Sequence, residues 1–86
     1  MDQVKQMVAA GVSISTAIKE ALGVSVSAWA DRHDLSRSTT SEILNLVRSP
    51  DAATCAALAK DLGGSPFEWA MTLWESARPS SERFAA

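Results

Sequence analysis

The sequence is poor in the residues that cross-link or metallate small folds: of its 86 residues, one is cysteine and one is histidine. A lone Cys55 closes no internal disulfide, and with no second cysteine or clustered histidine at ligand spacing, neither a disulfide scaffold nor a metal site is expected. Cys55 lies in the small-residue run Ala52-Ala53-Thr54-Cys55-Ala56-Ala57, where a free thiol packs as a small hydrophobe. Long apolar runs are missing too. No stretch approaches the ~18 to 20 residues needed to cross a bilayer, so no membrane contact is expected. The opening Met1-Asp2-Gln3-Val4-Lys5 has no basic segment followed by an apolar one, which argues against a secretory signal and for a cytoplasmic protein. Strand signals are nearly absent, with no Asn-Gly or Asp-Gly turn and no sustained apolar/polar alternation. Positive charge is also in deficit: eight Lys and Arg face ten Asp and Glu, for a net charge of −2. That balance excludes a general polyanion binder unless the cations are gathered on one surface.

What remains is a chain with 47% hydrophobic residues, enough for one modest core and one domain. Helix punctuation recurs along it. Asp2 can cap a first helix carrying Val4, Met7 and Val8, closed by Gly11, so that residues 1–11 form an N-terminal extension helix. Ser13 can cap a second helix, in which Ile14, Ala17, Ile18, Ala21 and Leu22 make a core-facing stripe ending at Gly23. Ser25 or Ser27 opens a short helix to about His33, and Asp34-Leu35 breaks it. Ser36 caps the next, with Thr40, Ile43, Leu44 and Val47 inward and Arg37, Ser38, Thr39, Ser41 and Glu42 outward. Pro50-Asp51 starts a helix with Leu58, Ala59 and Leu62 on one side, stopped by Gly63-Gly64. Ser65-Pro66-Phe67-Glu68 combines an N-cap serine, proline at the first helical position and a capping-box glutamate. The final helix is expected over residues 65–77, with residues 79–86 as a flexible tail. The fold class expected is all-α, a compact bundle of five to six helices, with residues 1–78 as a single domain.

The segment from Ser25 to Pro50 concentrates the polar signals. Ala30 is small where two helices would cross, Asp34 sits where a left-handed turn residue is needed, and Leu35 plugs the space between them. With Ser36-Arg37-Ser38-Thr39-Thr40-Ser41 and the later Leu58-Ala59-Lys60-Asp61-Leu62-Gly63, this resembles the Cro/repressor-type helix-turn-helix family over residues 13–75. The resemblance implies a lambda-repressor-like DNA-binding domain, with the motif at residues 25–46 and its recognition helix near Ser36–Leu46. Val26 stands where many relatives carry a DNA-contacting Gln, His33 where an aliphatic residue is usual, and Leu46 where Gly often follows Asn.

In such a motif the second helix enters the major groove of double-stranded DNA. Arg37, Ser38, Thr39 and Glu42 match the base-facing positions implied by the family. Arg37 can donate two parallel hydrogen bonds to guanine, Ser38 and Thr39 can serve base or phosphate, and Glu42 either accepts from cytosine or pairs with a nearby cation. Arg48 and Lys19 fit backbone clamps, and Ser27 and Ser36 add phosphate contacts near helix N-termini. Lys19, Arg32, Arg37 and Arg48 lie in or beside the motif. A packed turn residue is the expected role of His33, because catalysis would need a positioned partner. No phosphate loop, metalloprotease motif or nucleophile triad stands out, so no enzyme activity, cofactor or small-molecule ligand is expected.

The C-terminal helix carries two apolar stripes, Phe67, Ala70, Met71 and Trp74 on one and Trp69 and Leu73 on the other. A helix apolar around so much of its surface must be covered twice. Trp69, Met71, Leu73 and Trp74 are therefore expected at a homodimer interface, the alternative cover being the N-terminal helix of the same chain. The expected function is a dimeric transcriptional regulator, first of all a repressor on an inverted-repeat operator, of the phage or mobile-element kind and located in the bacterial cytoplasm or nucleoid. The rival expectation is a protein-binding helix-turn-helix module acting as an antirepressor or antiactivator.

Overall fold

Five of the six helices begin where a side chain accepts from a free amide of the first turn. The computed structural model describes the backbone of residues 1–85 and the side chains of residues 1–76. Six helices follow one another among the described residues: α1 (Asp2–Ala9), α2 (Ile14–Leu22), α3 (Val26–Arg32), α4 (Arg37–Leu44), α5 (Ala52–Leu62) and α6 (Pro66–Ala85). The side chains of Ser13, Ser25, Ser36 and Asp51 accept from the backbone N–H three residues on, at the starts of α2 to α5. Ser65 does the same for Glu68 at 3.1 Å, opening α6. Ser25, not Ser27, is the cap of α3. At α1 the cap is Met1, and Asp2 is the first helical residue, where its charge suits the N-terminal end of the helix dipole.

Helix ends repeat one device. At α1, α3 and α4 the chain closes with a six-residue and a four-residue hydrogen-bonded loop around a residue in the left-handed region. Val12 N–H donates to Met7, Leu35 N–H to Ala30 and Val47 N–H to Glu42, at 2.8 to 3.0 Å. The left-handed residues are Gly11, Asp34 at φ +56° and Leu46 at φ +65°. Glycine takes this conformation freely and Asp pays little, but a leucine there is strained by roughly 1–2 kcal/mol.

Packing proceeds in successive pairs, α1 on α2, α3 on α4 and α5 on α6, and α2 also touches α4 and α5. The core gathers Val4, Ala17, Ile18, Trp29, Ile43, Leu44, Cys55, Leu58, Trp69 and Leu73. Burial pushes the Cys55 thiol up, and the Asp51 charge adds to the effect. Trp69 is sealed in by its indole N–H, which donates to the Gly63 carbonyl at 2.8 Å, so the Gly63-Gly64 stop and the start of α6 are tied together. The radius of gyration, 12.4 Å, is near the ~12 Å of a compact chain this long.

Two expectations need correction here. Val47, expected inward, is 74% exposed, because the left-handed Leu46 swings the chain off the helical track before it. The last helix does not stop at Ala77: its backbone continues to Ala85. No glycine follows Gly64, and Pro79 removes one backbone donor without supplying a left-handed stop. The side chains of residues 77–86, which include the whole of the expected tail at 79–86, lie outside the described residues.

Candidate nucleic-acid interface

The turn at residues 33–36 sets α4 against α3 and fixes which face of α4 looks outward. Thr40, Ile43 and Leu44 are buried, while Ser36, Arg37 and Ser38 are exposed and Thr39 and Glu42 half-buried. The outward residues of the first two turns of α4 therefore include all four that were expected to face a ligand. Ser36 is engaged as the helix cap, its Oγ 3.4 Å from Thr39 N. Ser27 is exposed one residue inside α3.

Three of the cations on or beside this surface, Arg37, Arg48 and Lys19, are held by acceptors. Arg37 is gripped side-on by Asp31, with Nε 2.9 Å from Oδ1 and Nη2 2.5 Å from Oδ2. The pairing holds the Asp31 carboxyl below its ordinary range, chiefly through the hydrogen bond from Arg37, and raises the Arg37 guanidinium above its own. Arg48 donates through Nε to Glu42 Oε2 at 2.6 Å. Of the two roles expected for Glu42, pairing with a cation is the one it has here. Lys19, on α2, donates to Asn45 Oδ1 at 2.5 Å, and Asn45 Nδ2 donates to Ser41 Oγ at 3.3 Å, so α2 is stitched to the end of α4. From Ser25 to Pro50 three arginines face three carboxylates, Asp31, Asp34 and Glu42. Lys19 is the cation that adds a net positive charge beside them.

Behind this surface a single carboxylate oxygen anchors α3 to α5. Asp61 Oδ2 accepts from Trp29 Nε1 at 2.7 Å and lies 2.8 Å from His33 Nε2. The His33 and Trp29 rings meet at 5.0 Å, tilted by 57°. These bonds, His33 first and Trp29 second, hold the Asp61 carboxyl below its ordinary range. His33 thus has a packing role at the end of α3. Sequence reasoning missed Asp31, Asn45 and Asp61 as partners. For Asp31 a signal was present, since a carboxylate in the last turn of one helix and an arginine opening the next face each other across a tight turn.

The expected dimer residues separate. Trp69 is 0% and Leu73 1% exposed, both inside the chain's own core, because α6 turns this stripe toward α5. They are not interface residues. Met71 and Trp74 are exposed, and with Phe67 they form an outward row at spacings of four and three. The N-terminal helix does not cover this row: α1 packs on α2 instead.

Elsewhere, an open groove of about 470 Å³ runs between the start of α1 and the Gly63-Gly64 turn, lined by Met1, Asp2, Lys5, Asp61 and Glu68 among others and by no residue of α3 or α4. Among the described residues no group of three His, Cys, Asp or Glu side chains is placed to hold a metal ion. No helix of the described residues is long and apolar enough to cross a membrane. No protein-family model, curated protein or solved structure matches the chain.

Proposed function

We propose that the chain is a sequence-specific double-stranded DNA-binding transcriptional regulator of the Cro/repressor type, acting as a dimeric repressor on an inverted repeat. The observation that carries this reading is the pairing of α3 and α4 across a four-residue turn with Asp34 left-handed and Leu35 tucked behind it, leaving Arg37 and Ser38 exposed and Thr39 half-buried in the first turn of α4. A helix presented in this way can lie in a major groove with its N-terminal residues on base edges. Arg37 is the specificity residue in this reading, with Ser38 and Thr39 assisting. Lys19 and Arg48 serve the phosphates, the latter by exchanging Glu42 for a phosphate oxygen. Phe67, Met71 and Trp74 supply the dimer contact, replacing the buried Trp69 and Leu73 in that role.

A second reading is favoured by a specific observation: Arg37 and Arg48 are already neutralised within the chain, and an exposed apolar row stands on α6. Both suit a protein-binding module that opposes another regulator. Titration with a randomised duplex pool at two salt concentrations separates the two. Specific binding should be recovered, weaken steeply as salt rises, and lose its site preference in Arg37→Ala. Absence of duplex binding at low salt overturns the DNA reading. Light scattering across a concentration series tests the dimer, which Trp74→Ala should weaken.

A further inference from the structure

The grip of Asp31 on Arg37 leaves part of the guanidinium unused in a defined orientation. A guanidinium carries five N–H bonds in one rigid plane. Asp31 takes two of them, on the edge formed by Nε and Nη2. The neighbouring edge, formed by Nη1 and the second hydrogen of Nη2, points away from that contact in the same plane. It presents two parallel donors, the arrangement that matches O6 and N7 of guanine. Both side chains are more than half exposed, so the pair stands on the surface that would meet DNA. Asp31 is held in turn by the last turn of α3, which the Trp29–Asp61 bond and the Asp34 turn anchor to the body of the fold.

We infer that Asp31 is a positioning residue for base reading: it fixes the Arg37 fork side-on, so that the free edge meets guanine without first having to be ordered. The inference rests on the DNA-binding reading above and adds to it a carboxylate that works against affinity and for discrimination. A free arginine at this position would contact phosphates and bases of several kinds. One held by Asp31 offers a single planar edge. The carboxylate repels the phosphates nearby, so removing it strengthens binding to all duplexes while blurring the choice among them.

The test compares wild type, Asp31→Asn, Asp31→Ser, Arg37→Lys and Arg37→Ala on the duplex selected by the wild type and on single-base changes of it. In the wild type, one position should demand guanine, with a preference of roughly 5- to 100-fold that Arg37→Ala and Arg37→Lys remove. Asp31→Asn and Asp31→Ser should bind random duplex at least as tightly as wild type, yet keep less than about a fifth of that guanine preference. Unchanged melting of both variants will show the fold intact, as expected for an exposed pair. If the Asp31 variants gain affinity with guanine preference undiminished, Asp31 only competes with DNA and the inference is overturned. If Arg37→Ala leaves every base preference in place, it is overturned as well. Failure of the wild type to bind any duplex is a different result, seen before any variant is made, and overturns the functional reading together with the inference.

Discussion

Removing the Asp61 carboxylate should loosen the candidate interface from behind without touching its surface. Trp29 is 0% exposed, and its one polar atom donates to Asp61 Oδ2 at 2.7 Å. In Asp61→Ala that indole N–H is left unpaired inside the core, at a cost of about 1–3 kcal/mol. The same oxygen meets His33 at 2.8 Å, but with side chains 14% and 27% exposed, solvent screening limits that contact to about 1 kcal/mol or less. The expected loss is about 1–4 kcal/mol, which in a domain of this size lowers Tm by roughly 4–30 °C. Asp61→Asn keeps an oxygen acceptor for Trp29 and should lose about 1 kcal/mol. Denaturant and thermal unfolding followed by far-UV circular dichroism measure both. The pH dependence carries a further signature. Because hydrogen bonds from His33 and Trp29 lower the folded-state pKa of Asp61, the unfolded chain takes up this proton first as pH falls. The stability from this group is complete above the unfolded carboxyl value, ~3.9, and is lost as pH falls through the lower folded value. Asp61→Asn should therefore show a shallower acid limb. An Asp61→Ala protein within about 0.5 kcal/mol of wild type, or an Asp61→Asn protein with the wild-type acid limb, refutes the reasoning.

Two further outcomes follow from burial and backbone geometry. Trp69→Ala empties a fully buried site and removes a bond to Gly63, so it should cost about 3–5 kcal/mol, whereas Trp74→Ala should leave monomer stability within about 0.5 kcal/mol; unfolding at low protein concentration distinguishes them. At Leu46 the usual helix order should reverse, with Leu46→Gly more stable than Leu46→Ala by about 1 kcal/mol, because both lose the leucine packing and only glycine relieves the left-handed strain; equal stabilities would show that the strain is not there.

The parts of the fold legible in the sequence are those decided within a few residues. Ser13, Ser36, Asp51 and Ser65 cap helices from one position away, and Asp34 takes the left-handed turn its residue type tolerates. Even the unusual Leu46 occupies the left-handed site, because the closing bonds around it require that conformation whatever the side chain. The two stripes of α6 were not separable in this way. Both are apolar and both have helical spacing, and the choice between them is made by α5 and by the Gly63 carbonyl that receives Trp69. Charge pairing was legible only in part, with a cation expected beside Glu42 and Asp31 placed across a tight turn from Arg37, but neither pair fixed by helical spacing. Arg37–Asp31 and Arg48–Glu42 each span six residues and cross a helix boundary, outside the three- and four-residue neighbours of a single helix. Asp61 meets its two partners at separations of 28 and 32 residues, which no local pattern reveals.

The bond between Trp29 and Asp61 also gives the molecule an intrinsic optical label. Three tryptophans occupy three distinct settings: Trp29 sealed beside an imidazole at the back of the α3–α4 pair, Trp69 sealed against the α5–α6 turn, and Trp74 half in water on the outer row of α6. Indole emission depends on local polarity and on neighbouring quenchers, so the half-exposed Trp74 should emit to the red of the two buried tryptophans, and the imidazole beside Trp29 sets it apart from Trp69. Proteins retaining one tryptophan at a time, with phenylalanine at the other two, would report separately on the turn, the core and the outer face. A change at α4 would be visible through Trp29 from inside the domain, with no dye placed on the surface under study.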